Sequence, residues 1–200
     1  MKRTRAVHHL RELAAKCDEM SRASSSIFRL RVVQLWAVGE VLGSTEELDW
    51  VKVALVVDLP VDEVPWLGKP AGADHWAQAT RLDKNPISPL WRSARAPVWN
   101  HRVERPALVW DVENGVAEQT LTALAQGRGD SVRTPAPSAE ELRERLGEEL
   151  AVSLRALRHW TGVYEEKRWA PGKLTPISDA MWSAGAGYVD VWDALADPGN

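Results

Sequence analysis

The stretch WVKVALVVD, residues 50 to 58, constrains this chain more than any other. It is rich in β-branched side chains and nearly continuous in apolar character, and Pro60 closes it. Such a run suits a pleated strand in a core. Upstream, IFRLRVVQLWAV (27 to 38) alternates at Phe28, Leu30 and Val32 and then becomes continuously apolar. That pattern predicts a second strand entering the core. Between the two, GEVLGSTEE (39 to 47) predicts a turn with room for a short helix.

Periodicity assigns most of the remainder. Residues 4 to 22 carry apolar side chains at spacings of three and four with charges opposite, which predicts an amphipathic helix closed by the hydroxyl-rich turn SRASSS. LPVDEVPWLGKPAG reads as loop because proline and glycine punctuate it. Residues 72 to 82 predict a short helix with Trp76 and Leu82 inward. KNPISPLWRSARAPVWN reads as extended chain laid over a surface. PALVWDV (106 to 112) predicts a strand, Glu113-Asn114-Gly115 a turn, and residues 116 to 126 a helix.

GRGDSVRTPAPS (127 to 138) reads as a linker. Ser138 and Glu141 then form a capping box. They open a long helix lined by Leu142, Leu146, Leu150, Leu154, Leu157 and Tyr164. The charged run EELRERLGEEL (140 to 150) reads as its solvated face. Pro171 and Gly172 break this helix. A last one spans about 177 to 195, where Gly185 and Gly187 allow close contact or a kink.

The element order predicts an α/β (α+β) fold with a small mixed sheet and a C-terminal helical pair. The expected organisation is a core over 1–126, a linker over 127–138 and a helical segment over 139–200 packed on the core.

Composition narrows the function classes. A net charge of -3 gives no global sign of nucleic-acid or acidic-membrane binding. The single cysteine, Cys17, excludes an internal disulfide and falls on the apolar stripe of the first helix, as a buried thiol fitting a reducing cytosol. The N-terminus lacks the apolar core of a secretory signal, and no run is long enough to span a membrane. The expected setting is cytoplasmic. Eleven tryptophans stand against one Phe and two Tyr, which reflects either a biased coding background or several indole N–H groups with specific partners.

The strand–turn–strand at 30–58 resembles the nucleotidyltransferase superfamily, the fold of DNA polymerase beta, over roughly residues 4 to 126. That family carries Gly-Ser on a turn, Asp-x-Asp on the next strand and a third carboxylate on a later one. The paired carboxylates hold two Mg²⁺ ions against a nucleoside triphosphate. Here Gly39 takes the glycine place and Glu40 the serine place, while a start at Gly43 recovers Ser44. The paired aspartates are replaced by Trp50 and Lys52, whose ammonium repels a cation and can stand in its charge site.

The resemblance therefore implies a degenerate site and a binding or regulatory protein with no cofactor. The alternative is an active transferase using Mg with a nucleoside triphosphate, which requires Asp49, Asp58 and Asp111 to converge. Asp49 and Asp58 are nine residues apart and lie on opposite faces of a regular strand. Phrases such as RAVHHLRELA and GYVDVWDAL also resemble an uncharacterised actinobacterial family of unknown function.

One further segment reads as functional. WRSARAPVWNHRVERPALVW (91 to 110) interleaves Trp91, Trp99 and Trp110 with Arg92, Arg95, Arg102 and Arg105, and adds His101. Arginine beside aromatic faces suits a nucleotide, RNA or protein partner. The same residues also suit indoles packed on the core under arginine stems. His101 has no evident partner in sequence, and Asp190 and Asp193, i and i+3 beside Trp192 on the last helix, read as surface acids, with a ligand role as the alternative. A further possibility is one member of a toxin–antitoxin-type pair.

Overall fold

The structure, a computed structural model, describes residues 1–22 and 29–196. The beginning of the first predicted strand, with Phe28, lies outside the described residues, as does most of the SRASSS turn. Among the described residues there are five α-helices and five strands: α1 (Arg3–Ser21), β1 (Val32–Val38), β2 (Val51–Val57), α2 (Ala73–Ala79), β3 (Ile87–Ser93), β4 (Ala107–Asp111), β5 (Gly115–Val116), α3 (Glu118–Ala125), α4 (Ala139–Lys167) and α5 (Thr175–Ala196). The strands form one mixed sheet in the order β3-β2-β1-β4-β5. β2 pairs parallel to β3 and antiparallel to β1, and β4 pairs antiparallel to both β1 and β5. The α/β class and the C-terminal helical pair are as expected.

Each central strand serves two cores. Alternation sends Val51, Val53, Leu55 and Val57 of β2 into a large apolar cluster with Leu10, Leu13, Ala14 and Cys17 of α1 and Leu121 and Leu124 of α3. Burial raises the Cys17 thiol far above its ordinary range, so it is an inert packing group. Ala54 faces the other way, into a smaller cluster with Val38, Trp66, Val103, Leu146 of α4 and Val191 of α5. The helical pair therefore covers the second face of the sheet, making three layers.

The chain between β3 and β4 reads differently in three dimensions than in sequence. ISPLWRS is a strand of the sheet, not chain laid over a surface. Pro89 sits in its middle, which is tolerated because β3 is an edge strand. The opposite edge, β5, has only two residues. After β3 the chain returns across β2 and β1 to start β4 beside Ala37. This return, residues 94 to 106, brings Val98 and Val103 to the second core.

α4 starts at the predicted capping box, with Ser138 accepting from the Glu141 N–H and Glu141 accepting from the Ser138 N–H. Gly187 lets α5 lie directly on the backbone of Trp66, where any side chain would overlap the Trp66 carbonyl. Close contact, rather than a kink, is the role of that glycine. α5 leaves the indoles of Trp182 and Trp192 exposed.

Candidate functional site

The sequence pattern presents 91–110 as one Arg/Trp surface, and the fold splits it. Trp91 and Arg92 are neighbours on β3, so their side chains leave opposite faces. Trp91 packs edge-on against Trp76 at 5.9 Å, in the large core. Trp110 is fully buried in the same core. Arg92 enters the seam under α4 and is only 3% exposed.

The seam is ionic. Arg92 donates to Glu149 of α4 and to the carbonyl of Val98 at 3.0 Å, and its guanidinium lies 5.2 Å from the Trp66 ring centre. Glu149, also buried, accepts from Arg145 at 2.8 Å and from Asn100 Nδ2 at 2.8 Å. Burial lowers the Arg92 pKa, and the Glu149 carboxylate opposes that shift. The charged run on α4 is thus not a uniformly solvated face. Arg145 and Glu149, four residues apart, turn inward to meet Arg92.

A second node lies along the same seam. Asp190 of α5 accepts from Arg102 Nη2 at 2.6 Å, Trp66 Nε1 at 2.8 Å and His101 Nε2 at 2.7 Å. Burial pushes the Asp190 carboxyl up, but these donors outweigh it and hold the pKa below its ordinary value. The Arg102 guanidinium is raised by the same hydrogen bond and charge. His101 Nδ1 is buried and meets no hydrogen-bond partner among the described residues. Asp190 is thus a structural partner of His101, missed as a surface acid. The available signal was its place beside the stripe Ala184, Gly187 and Val191, which is the buried side of α5.

This node borders an open cleft of about 1270 Å³ between the return segment, the start of α4 and the end of α5. Trp99, His101, Arg102, Arg105 and Arg143 line it. Arg105 is held at φ 41, a strained backbone for a side-chain-bearing residue, and donates to the Thr134 carbonyl at 3.2 Å. Arg143 is exposed and makes no ion pair with the described residues. The carboxylates of Glu104, Glu140 and Asp193 share the rim.

The remaining predicted positions lie elsewhere. Arg95 is exposed and pairs with Asp58 at 2.7 Å. Gly39 has φ 73 and opens the turn after β1. The carbonyls of that turn point inward: Arg3 donates to Val41 O at 3.1 Å, Gly43 O at 2.8 Å and Thr45 O. The Gly43 N–H is used locally, donating to Glu40 O at 3.0 Å. Glu40 and Ser44 are exposed, as is Lys52, whose stem passes over Gly39.

Asp49, Asp58 and Asp111 do not converge. Asp49 precedes β2 and Asp58 follows it, at opposite ends of a seven-residue strand. Asp111 accepts from the Glu113 N–H at 2.9 Å and the Asn114 N–H at 2.7 Å, which makes it the cap of the β4–β5 turn. Burial raises its pKa, and the bonds from Asn114 and Glu113 bring it below the ordinary value. Among the described residues no group of three His, Cys, Asp or Glu side chains has the arrangement to hold a metal ion. These residues do not fit a two-metal centre.

No described helix is long and apolar enough to cross a membrane. No curated protein and no solved structure matches the chain. A family model described as Domain of unknown function (DUF7711) matches residues 1–197, and the chain belongs to that family.

Proposed function

We propose that this chain is a cytoplasmic bacterial binding protein whose ligand is a nucleotide, seated in the cleft lined by Trp99, Arg102, Arg105 and Arg143. The carrying observation is the convergence of three guanidiniums and an indole on one open cleft, with Arg143 making no ion pair among the described residues. An indole face suits a base and guanidiniums suit phosphate oxygens. The strained backbone at Arg105 supports the same assignment, because strain concentrates at functional positions.

In this reading the core is a degenerate nucleotidyltransferase-like unit. The antiparallel β1–turn–β2 entry, with its positive-φ Gly39 and the Lys52 stem over it, supports that descent. Binding then needs no metal.

Thermal unfolding with nucleoside triphosphates, with and without Mg²⁺, tests the proposal. At a hundredfold excess over Kd the expected rise is about 5–10 °C, independent of Mg²⁺. Arg143→Ala should remove most of it. A rise that requires Mg²⁺ would instead favour a metal-dependent transferase. No rise at saturating nucleotide would sink nucleotide binding.

One observation favours a second reading, a partner protein of a toxin–antitoxin-type pair. Trp182 and Trp192 of α5 stay 73% and 53% exposed, with Val189 between them. Co-purification with a neighbour-encoded protein, abolished by Trp182→Glu, would support it.

A further inference from the structure

The seam beneath α4 holds two buried guanidiniums and one buried carboxylate. Arg92 and Arg145 both donate to the same Glu149 oxygen. The other Glu149 oxygen is taken by Asn100. Arg145 reaches outward to Glu148 at 3.2 Å, but that carboxylate is largely in solvent. The Arg145 Nε remains buried without an acceptor among the described residues. The buried part of the cluster therefore carries one positive charge too many and one orphan donor. Both conditions are unfavourable in a low-dielectric seam.

A recess of about 370 Å³ opens on this cluster, between the end of β3 and the middle of α4. Its wall includes Arg92 and Arg145 with the carboxylates of Glu148 and Glu149, and two more arginines, Arg95 and Arg155, also line it, so guanidiniums outnumber carboxylates four to two. The outer two are held only by exposed carboxylates, Arg95 by Asp58 at 2.7 Å and Arg155 by Asp62 at 2.6 Å. Exposed pairs of this kind contribute little and exchange partners readily. Four guanidiniums from two separate stretches of chain, 92–95 and α4, thus surround one opening.

We infer that this recess is a binding site for a phosphate-type oxyanion, either free phosphate or the phosphoryl end of a small metabolite. Such an anion neutralises the excess buried charge. It also draws Arg95 and Arg155 from their surface partners into bidentate contacts, the geometry guanidinium favours with phosphate oxygens. The site is separate from the cleft in the proposed function and does not rest on it.

The test is thermal unfolding of the full chain in inorganic phosphate and in glycerol phosphate, each against sodium chloride at equal ionic strength. At about tenfold excess over Kd, the melting temperature should rise by roughly 3–6 °C over the chloride control. A rise in both solutions identifies the free anion as sufficient. A rise in glycerol phosphate alone identifies a phosphoryl group on a carrier.

Arg145→Met removes the excess charge and the orphan donor while leaving Arg92 paired with Glu149. It should fold and lose the rise. Should it not fold, Arg155→Ala, an exposed rim change, should cut the rise by more than half. Arg143→Ala should leave the rise intact, which separates this site from the nucleotide cleft. Equal melting in phosphate and chloride overturns the inference, as does a full rise in a folded Arg145→Met or in Arg155→Ala.

Discussion

The two faces of the sheet are held by different forces. On the α1–α3 side, Leu10, Leu35, Leu55 and Leu121 are completely buried in an apolar cluster. On the α4–α5 side a smaller apolar cluster shares the seam with Arg92, Arg145, Glu149, Asn100, His101 and Asp190. The first face is stable by burial, which is non-directional and tolerant of small shifts. The second is fixed by hydrogen bonds, which demand one register of the helices on the sheet. Buried ionic groups add little net stability, and their fixed donor–acceptor geometry favours one docking of the helical pair. Both candidate binding sites lie on this second face.

The comparison predicts that one carboxylate matters as much as a core leucine. Glu149→Ala leaves two buried guanidiniums without their shared partner and should cost about 3–5 kcal/mol. Leu35→Ala, on the apolar face, should cost about 2–5 kcal/mol by transfer and cavity terms. Denaturant unfolding compares the two, and a loss under about 1 kcal/mol for Glu149→Ala would break the distinction between the faces.

A smaller effect isolates the approach of α5. Gly187→Ala forces a methyl group into the Trp66 carbonyl and should cost about 1–3 kcal/mol. Gly185→Ala meets only Leu157 at 3.8 Å and should be neutral or gain up to about 1 kcal/mol from helix propensity. Equal melting temperatures for the two variants would mean that α5 does not press on Trp66. Ser138→Ala removes the α4 cap and should cost about 1 kcal/mol on the same unfolding curves.

The subtlest test is pH. The Asp190 pKa is held below its ordinary 3.8 in the folded chain. Its contribution is therefore full above about pH 4 and is lost as pH falls through the depressed folded value. Asp190→Asn should flatten the acid limb of a stability–pH profile without removing it, because Asp111 is depressed as well. An unchanged limb would mean that the Asp190 node contributes nothing to docking.

The fold was legible in sequence wherever one period ran uninterrupted. α1, α4 and α5 carry a helical period and β2 an unbroken β-branched apolar run, and their predicted bounds agree with the structure to within a few residues. β3 was not legible. Its proline spoils the strand pattern, and burial of Trp91, Arg92 and Ser93 in succession erases the alternation. The candidate site was legible only in half. Trp99, His101, Arg102 and Arg105 stand close in sequence, and their composition alone drew attention. Their partners, Asp190 and Arg143, come from helices that reach the site only through the fold. No local pattern links His101 to a carboxylate 89 residues away.

The sheet's two rims bear on how this protein can meet other chains. One rim is a seven-residue strand interrupted by Pro89, which has no N–H, and the other is two residues long. Neither offers an extended, unbroken row of backbone donors and acceptors on which a foreign strand could template itself. Both rims thus disfavour recruitment by strand addition and the edge-to-edge stacking that starts fibrils. The surfaces this architecture leaves most open are side chains on helices and loops, where selectivity is written in charge and shape rather than in backbone repeats.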